Sequence, residues 1–544
     1  MNWKNCLRNL LMNLTPFRGL IIIVICWGIF FRFTHLDTQI YWHDEVFTAI
    51  RVSGYTATEI HEKIYQGQLL TLEDLHTYQQ PNLDRNLGDV IQGLAIEDPQ
   101  HPPLYFLISR GWQQLFGSSI IVKRTLPALL SLLIFPSVYW LCLELFSSSL
   151  TGWVAMAMIA VSPFHVLFAQ EDRQYSLWGV IVVLSSAALL WAMRRNSKMS
   201  WGVYALTLSL GFYTFLFTLL VAVSHGIYVM IQERFRLSGR GIAYGISSIL
   251  AGMSFLPWVM VVMAGLSTIQ GSTSWMTQTP GTLTNSSNFI ILIDKFIYGI
   301  NLIFVDPSIN YRLKKLIIVS LLTAGISLLY KNHRNPAFFQ LITLITFPFL
   351  ALIIPDLILG GNRSTVYRYL IPVYLGIQVT IASLLTDWIH HPRLKNWQQN
   401  LGRFVLVMIL SMGIVSCVIN SQNQVPWSKD RAQNKYDPQI AQIINNSPAA
   451  LVISDGGLGD ILSLSYLLNP QVKYQLITPT QVDQLEHLDS FSAIFLLDPS
   501  PELQSQLDLV SGVPEFVPVE QVPVPRLWQF LSSSPAPGAF IGSI

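Results

Sequence analysis

The chain has 544 residues, 51% of them hydrophobic and 12% charged, with a formal net charge of +2. That is too apolar for a soluble globular protein of this length. The near-neutral charge and the lack of a basic tract interleaved with aromatics argue against nucleic acid as a partner. Of the four cysteines, Cys26, Cys142 and Cys417 lie in apolar blocks and Cys6 lies among basic residues, which suggests neither a disulfide framework nor a metal cluster.

Uncharged apolar blocks of about 17–25 residues recur from Gly19 to Asn420, the length a helix needs to cross a hydrocarbon core. The basic residues ahead of the first block are not followed by a small-residue cleavage site, so it reads as a retained span with the amino terminus inside. Span 1, about 19–34, leads into a long polar loop at about 35–121, expected to be external. Spans follow at about 122–146, 150–168 and 175–193. The block 201–231 is too long for one crossing at 1.5 Å per residue and is flanked by basic clusters, so it reads as two short crossings meeting near Tyr213 and Thr214.

A further span is expected at about 241–264. The stretch 289–305 is taken as a helix in the membrane interface, and spans at about 315–330, 336–355, 366–386 and 402–420 complete the series. The expected fold is thus a polytopic α-helical membrane protein of about eleven spans with a large first external loop. Its transmembrane domain covers 1–423, and a soluble α/β domain at 424–544 lies outside. In that domain "ALVISDGG", "KYQLITP" and "SAIFLLDPS" read as buried strands alternating with helices, the order of a parallel sheet. Gly456 and Gly457 after the first strand could cradle an anion, although a plain strand-to-helix turn is the simpler reading without GxGxxG or a phosphate-loop lysine.

Three segments carry residues suited to chemistry. "YWHDEVFTAIR" places Asp44 and Glu45 just after span 1 among Trp42, Val46, Phe47 and Ile50 at helix-like spacing. Paired carboxylates there can deprotonate a hydroxyl or hold a cation, or can simply cap a helix. "DPQHPPLYFLISRGW" holds His101 in an extended turn before two prolines, as a ligand or as a hydrogen-bonded structural group. Lys123 and Arg124, which follow it, could attract a phosphate or snorkel to headgroups. "AQEDRQYSLWG" packs Glu171, Asp172, Arg173 and Tyr175 into a short connection between two spans, where a solvated turn is the bland alternative.

In this order and placement, the acidic pair, "HPPLYF" and "AQEDRQYSL" resemble bacterial membrane glycosyltransferases of the GT-C class. The nearest group is family 39, with protein O-mannosyltransferases and lipid A aminoarabinose transferases. "VYRYLIPVYLG", from Val366 to Gly376, is similar to the Arg-Tyr segment opening a late span in that group, and the resemblance covers about 19–420. It implies a polyprenyl-phosphate sugar donor, a lipid, glycan or protein acceptor, inversion at the sugar carbon, and residence in a bacterial-type inner or plasma membrane. Asp44 would be the catalytic aspartate with Glu45 beside it, and Glu171 or Asp172 the second acid. Arg173, Arg368 and Tyr369, with Lys123 and Arg124, would serve the donor phosphate, and His101 and Tyr175 the substrate. A divalent metal between Asp44 and Glu171 is left open. Where many relatives carry a His-containing segment between spans 5 and 6, this chain reads "YTFLF".

A transporter or flippase is the rival class, and a scaffold without activity is a third. Ion-coupled transport needs ionisable groups near the bilayer midplane, and the centres of the expected spans contain almost none, the exceptions Glu144 and His225 standing near predicted ends or alone.

Overall fold

In a computed structural model, the described residues are 16–82, 84–277, 286–307, 323–325, 327, 336–429, 434–485, 488–509 and 516–530. They are mostly helical, and six helices among them are long and apolar enough to cross a membrane. These are Ile120–Phe146, Tyr175–Arg195, Gly239–Ala264, Ala337–Leu359, Tyr367–His390 and Asn396–Gln422. The number becomes seven if Ser149–Ala160 and Pro163–Ala169, bent by 64°, form one span. The chain is therefore an integral membrane protein. The sequence-based number of about eleven also takes in the shorter helices Lys198–Thr214 and Thr218–Gln232, and a segment at 315–330 that lies largely outside the described residues. The first apolar block forms the helix Pro16–Phe33, and the stretch read as interfacial, 289–305, lies mostly in the helix Ser286–Leu302 and runs three residues past its end.

The chain divides into two compact units, Met1–Thr38 with Leu94–Asn423, and Gln39–Gly93 with Gln424–Ile544. In the first, Glu144 is paired with Arg194 at 2.6 Å. His225 lies between the Ser186 hydroxyl at 3.0 Å and the Tyr204 hydroxyl at 3.2 Å. Each of these two ionisable groups thus has a local partner that satisfies it, as burial demands.

The second unit is larger than the soluble segment read from 424 onward, because it includes 39–93. Its six-stranded sheet comprises β1 (Leu69–Leu70), β2 (Ala450–Ser454), β3 (Lys473–Leu476), β4 (Ala493–Leu497), β5 (Phe516–Pro518) and β6 (Leu527–Phe530), in the order β1-β3-β2-β4-β6-β5. The three apolar runs form the parallel centre β3-β2-β4, with Val452 opposite both Tyr474 and Phe495. Leu451, Ile453, Ile494 and Leu496 pack with Leu503 and Leu507 of the helix Pro501–Leu509. One edge is closed by β1, antiparallel to β3, and the Gln475 side chain adds a 2.7 Å bond to the carbonyl of Gly67. A two-residue strand has too few positions to show an alternating pattern, which is why the sequence does not announce it. After β2, Gly457 is the N-cap of the helix Leu458–Ser465, and the Gly456 carbonyl accepts from the Tyr65 hydroxyl at 2.6 Å.

Candidate functional site

The turn carrying Glu171, Asp172 and Arg173 is set by Pro163. A proline drives the residue before it out of helical geometry, and Ser162 is extended with ψ 117°. The chain breaks there, restarts as the short helix Pro163–Ala169, and ends at Gln170, whose amide donates to the carbonyls of Phe31 and Thr34, both at 2.8 Å. Glu171 and Asp172 follow, each 0% exposed, and Arg173 is 5% exposed. This is no solvated turn. Burying carboxylates so completely is costly unless neighbouring groups hold them. Asp172 Oδ1 accepts from the Tyr105 hydroxyl at 2.7 Å, and Tyr105 is itself wholly buried.

Tyr105 comes from the "HPPLYF" segment, which is also where His101 lies. The turn before it is closed by a 2.8 Å bond from the His101 backbone N–H to the Asp98 carbonyl, while Trp258 donates to the Pro99 carbonyl at 3.1 Å. The His101 ring stands between two side chains of the acidic turn, with Arg173 Nη2 3.3 Å from Nε2 and the Gln174 amide 3.1 Å from Nδ1. A guanidinium only donates, so Nε2 is the acceptor of the Arg173 bond. His101 thereby orients Arg173.

The second arginine arrives from far along the chain. The 3-10 turn Tyr367–Leu370 enters the helix Ile371–His390, which has Pro372 in its first turn. From this turn Arg368 places its guanidinium carbon 5.6 Å from the centroid of the Tyr175 ring, and Arg173 places its own 5.8 Å from the same centroid. Tyr175 is held edge-on by Phe168 and Phe215 at 5.6 and 5.8 Å. Tyr369 packs on Phe215 and Phe217 at 6.0 and 4.8 Å. The "YTFLF" segment thus supplies the aromatic wall that fixes the ring under the two cations. Two guanidiniums on one aromatic ring, with Arg173 next in sequence to the buried carboxylates of Glu171 and Asp172, can bind a phosphate and stabilise negative charge leaving it.

Lys123 and Arg124, at 1% and 0% exposure, are buried in protein and do not snorkel. Arg124 Nη1 donates to the Leu36 carbonyl at 2.7 Å.

Asp44 and Glu45 belong to the other unit, in the first turn of the helix His43–Ser53, where the helix dipole favours negative charge. They part company in role. Glu45 is wholly buried and bonds Lys429 Nζ at 2.9 Å, and Lys429, equally buried, also donates to the Ile40 carbonyl at 3.3 Å. Asp44 is only partly buried, and its backbone carbonyl accepts from the Thr48 hydroxyl at 3.0 Å. Lys429 and Tyr105 were not singled out by sequence reasoning. Tyr105 stood in a quoted motif, and only its hydroxyl, aimed at Asp172, distinguishes it. Among the described residues no group of three or more His, Cys, Asp or Glu side chains is placed to hold a metal ion.

No family model and no curated protein sequence matches the chain. Solved structures do. The crystal structure of ArnT from Cupriavidus metallidurans bound to undecaprenyl phosphate aligns over 95% of this chain and 98% of its own, with a TM-score of 0.52 and 12% identity. ArnT from the same organism in the apo state gives the same coverage and TM-score at 11% identity. The archaeal oligosaccharyltransferase AglB from Archaeoglobus fulgidus, in complex with an inhibitory peptide and a dolichol-phosphate, aligns over 88% of this chain and 69% of its own at 11% identity, with a TM-score of 0.49. At such identities the likeness is one of fold, and the chain has a GT-C-like fold shared with ArnT along nearly its whole length.

Proposed function

We propose that this protein is a glycosyltransferase that moves a sugar from a polyprenyl-phosphate-linked donor to an acceptor hydroxyl, with inversion, on the non-cytoplasmic face of a bacterial-type inner membrane. The observation that carries the reading is the convergence of Arg173 and Arg368 on the Tyr175 ring beside buried Asp172. The fold shared with ArnT, whose structure holds undecaprenyl phosphate, supports the donor class.

In this reading the acceptor oxygen attacks the anomeric carbon from the side opposite the phosphate. The carbon–oxygen bond to phosphate breaks, and the lipid phosphate leaves with both electrons. The acceptor proton passes to a carboxylate acting as general base, the role that the sequence resemblance gives to Asp44. Arg173 and Arg368 neutralise the departing phosphate, and Asp172, oriented by Tyr105, holds the sugar or the arginines in place. Bidentate guanidinium bonds match phosphate oxygens better than an ammonium does. A water-excluded setting strengthens every such contact.

The test is binding and turnover in nanodiscs. The wild-type chain should bind undecaprenyl phosphate and consume a polyprenyl-phosphate sugar from a panel of such donors. Arg173→Ala and Arg368→Ala should each weaken lipid-phosphate binding. Equal binding by wild type and both variants, or no transfer from any lipid-linked donor, would remove the proposal.

A further inference from the structure

The break in the bent span presents an energetic problem that the site itself does not solve. Carbonyls at the end of Ser149–Ala160 lose helical partners where Pro163 interrupts the ladder, and within a membrane such groups must be satisfied by protein. Two other helices supply the donors. From Pro16–Phe33, Arg32 donates through Nη1 to the Ala160 carbonyl at 2.7 Å and through Nη2 to the Ile159 carbonyl at 3.2 Å. From Asn396–Gln422, the Cys417 thiol lies 3.5 Å from the Val161 carbonyl.

Each donor is preceded four residues earlier, on the same helix face, by a glycine. A Cβ on Gly28 would lie 2.3 Å from the Ala160 carbonyl oxygen, and one on Gly413 would lie 2.5 Å from that of Val161. Neither distance can be tolerated against backbone. Glycine lets each helix approach, and the residue one turn on makes the bond.

Arg32 is 0% exposed, and its remaining bonds go to the Ser131 hydroxyl at 3.2 Å and the Gly28 carbonyl at 2.7 Å. All its hydrogen-bond partners are neutral oxygens. The exposed carbonyls of a helix end carry partial negative charge, which offsets a buried guanidinium without a carboxylate. A buried ionisable group is expensive, and here the cost is offset by the carbonyls it satisfies. The far end of the short helix is tied to the same first helix by Gln170, and the next three residues are Glu171, Asp172 and Arg173.

We infer that Gly28 with Arg32 and Gly413 with Cys417 form a clamp on the broken span, and that this clamp positions the Glu171–Asp172–Arg173 turn for the transfer reaction. The inference rests on the function proposed above for that turn. These four are positioning residues, acting through the turn.

The experiment uses the full chain in nanodiscs, with Arg32→Gln, Gly413→Leu and the milder Cys417→Val, and has two readouts. The first is backbone hydrogen exchange. Peptides covering 163–178 should exchange about tenfold faster in Arg32→Gln and Gly413→Leu, and detectably faster in Cys417→Val, while peptides from Ile371–His390 keep wild-type rates. The second is turnover: Arg32→Gln should lower kcat about tenfold or more, since small misplacements of reacting groups are that costly. In an Asp172→Asn background the same change should cost much less, because both act through one turn. Unchanged exchange in all three variants would overturn the clamp, as would full multiplicativity of the Arg32 and Asp172 effects. If the wild type transfers no sugar from any lipid-linked donor, the functional reading fails while the exchange readout still decides whether the clamp exists.

Discussion

Arg173 and Arg368 share one aromatic floor, their guanidinium carbons 5.8 and 5.6 Å from the centroid of the Tyr175 ring. In the proposed reaction both forks serve the donor phosphate, whose oxygens match a guanidinium in a bidentate geometry. Replacing either arginine with Lys keeps a charge but loses the fork. Each variant should raise the donor concentration for half-maximal rate by about tenfold, the worth of one charged hydrogen bond. Steady-state kinetics against a polyprenyl-phosphate sugar checks this, and unchanged donor dependence in both variants would exclude them from the site.

Tyr105 and Asp172 form a buried pair at 2.7 Å. Asp172→Asn should lower turnover by about two powers of ten or more if the carboxylate acts in the reaction. Tyr105→Phe removes the donor and leaves the acid in place, so its loss of rate should be smaller and should nearly vanish in the Asp172→Asn background. A Tyr105→Phe effect of equal size in both backgrounds would show that the hydroxyl does not work through Asp172.

Asp44 and Glu45 are neighbours for which opposite outcomes are expected. Asp44→Asn should reduce turnover by about two to four powers of ten with donor binding retained, as removal of a general base requires. Glu45→Gln should instead destabilise the fold by about 3–5 kcal/mol, because it removes the carboxylate from a fully buried ion pair. Pairing Glu45→Gln with Lys429→Met should recover much of that loss. Thermal unfolding separates the two roles, and a fully active Asp44→Asn would withdraw that residue as base.

Asp437 supplies a pH-dependent contribution in the unit that holds the sheet. Burial pushes its carboxyl up to about 7, against the pull of Arg526 at 2.9 Å and of Asn434. An unfolded aspartate titrates near 3.9, so the folded chain holds an extra proton between about 4 and about 7. The contribution is fully present below about 4 and is lost as pH rises through about 7. Asp437→Asn should therefore flatten the dependence of the unfolding midpoint on pH in that window. An identical slope in the variant would refute the assignment.

Orientation is checked by topology reporters. The basic residues Arg393, Lys395 and Arg403 before the last span argue that its far end leaves the cytoplasm. A reporter fused at Ser532 should be active only outside, and activity confined to the cytoplasm would reverse the proposed orientation.

The sequence alone determined the membrane character, most helix positions and the parallel centre of the sheet. These follow from local patterns: apolar blocks of spanning length and apolar runs bounded by turn residues. It also pointed to Glu171, Asp172 and Arg173, because charge in a short connection between apolar blocks is conspicuous. Only the tertiary structure decided which groups meet. Glu45 finds Lys429 across 384 positions, Arg32 finds Ala160 across 128, and Arg173 and Arg368 reach the same Tyr175 ring from segments far apart in the chain. Nor does the sequence show that Leu69 and Leu70 close the edge of a sheet formed by the carboxy-terminal region. The physical reason is common to all of them. Periodicity reports the environment of a residue along its own element, whereas a buried charge is satisfied by whatever donor or acceptor the packing brings near, and that partner leaves no mark in its neighbours.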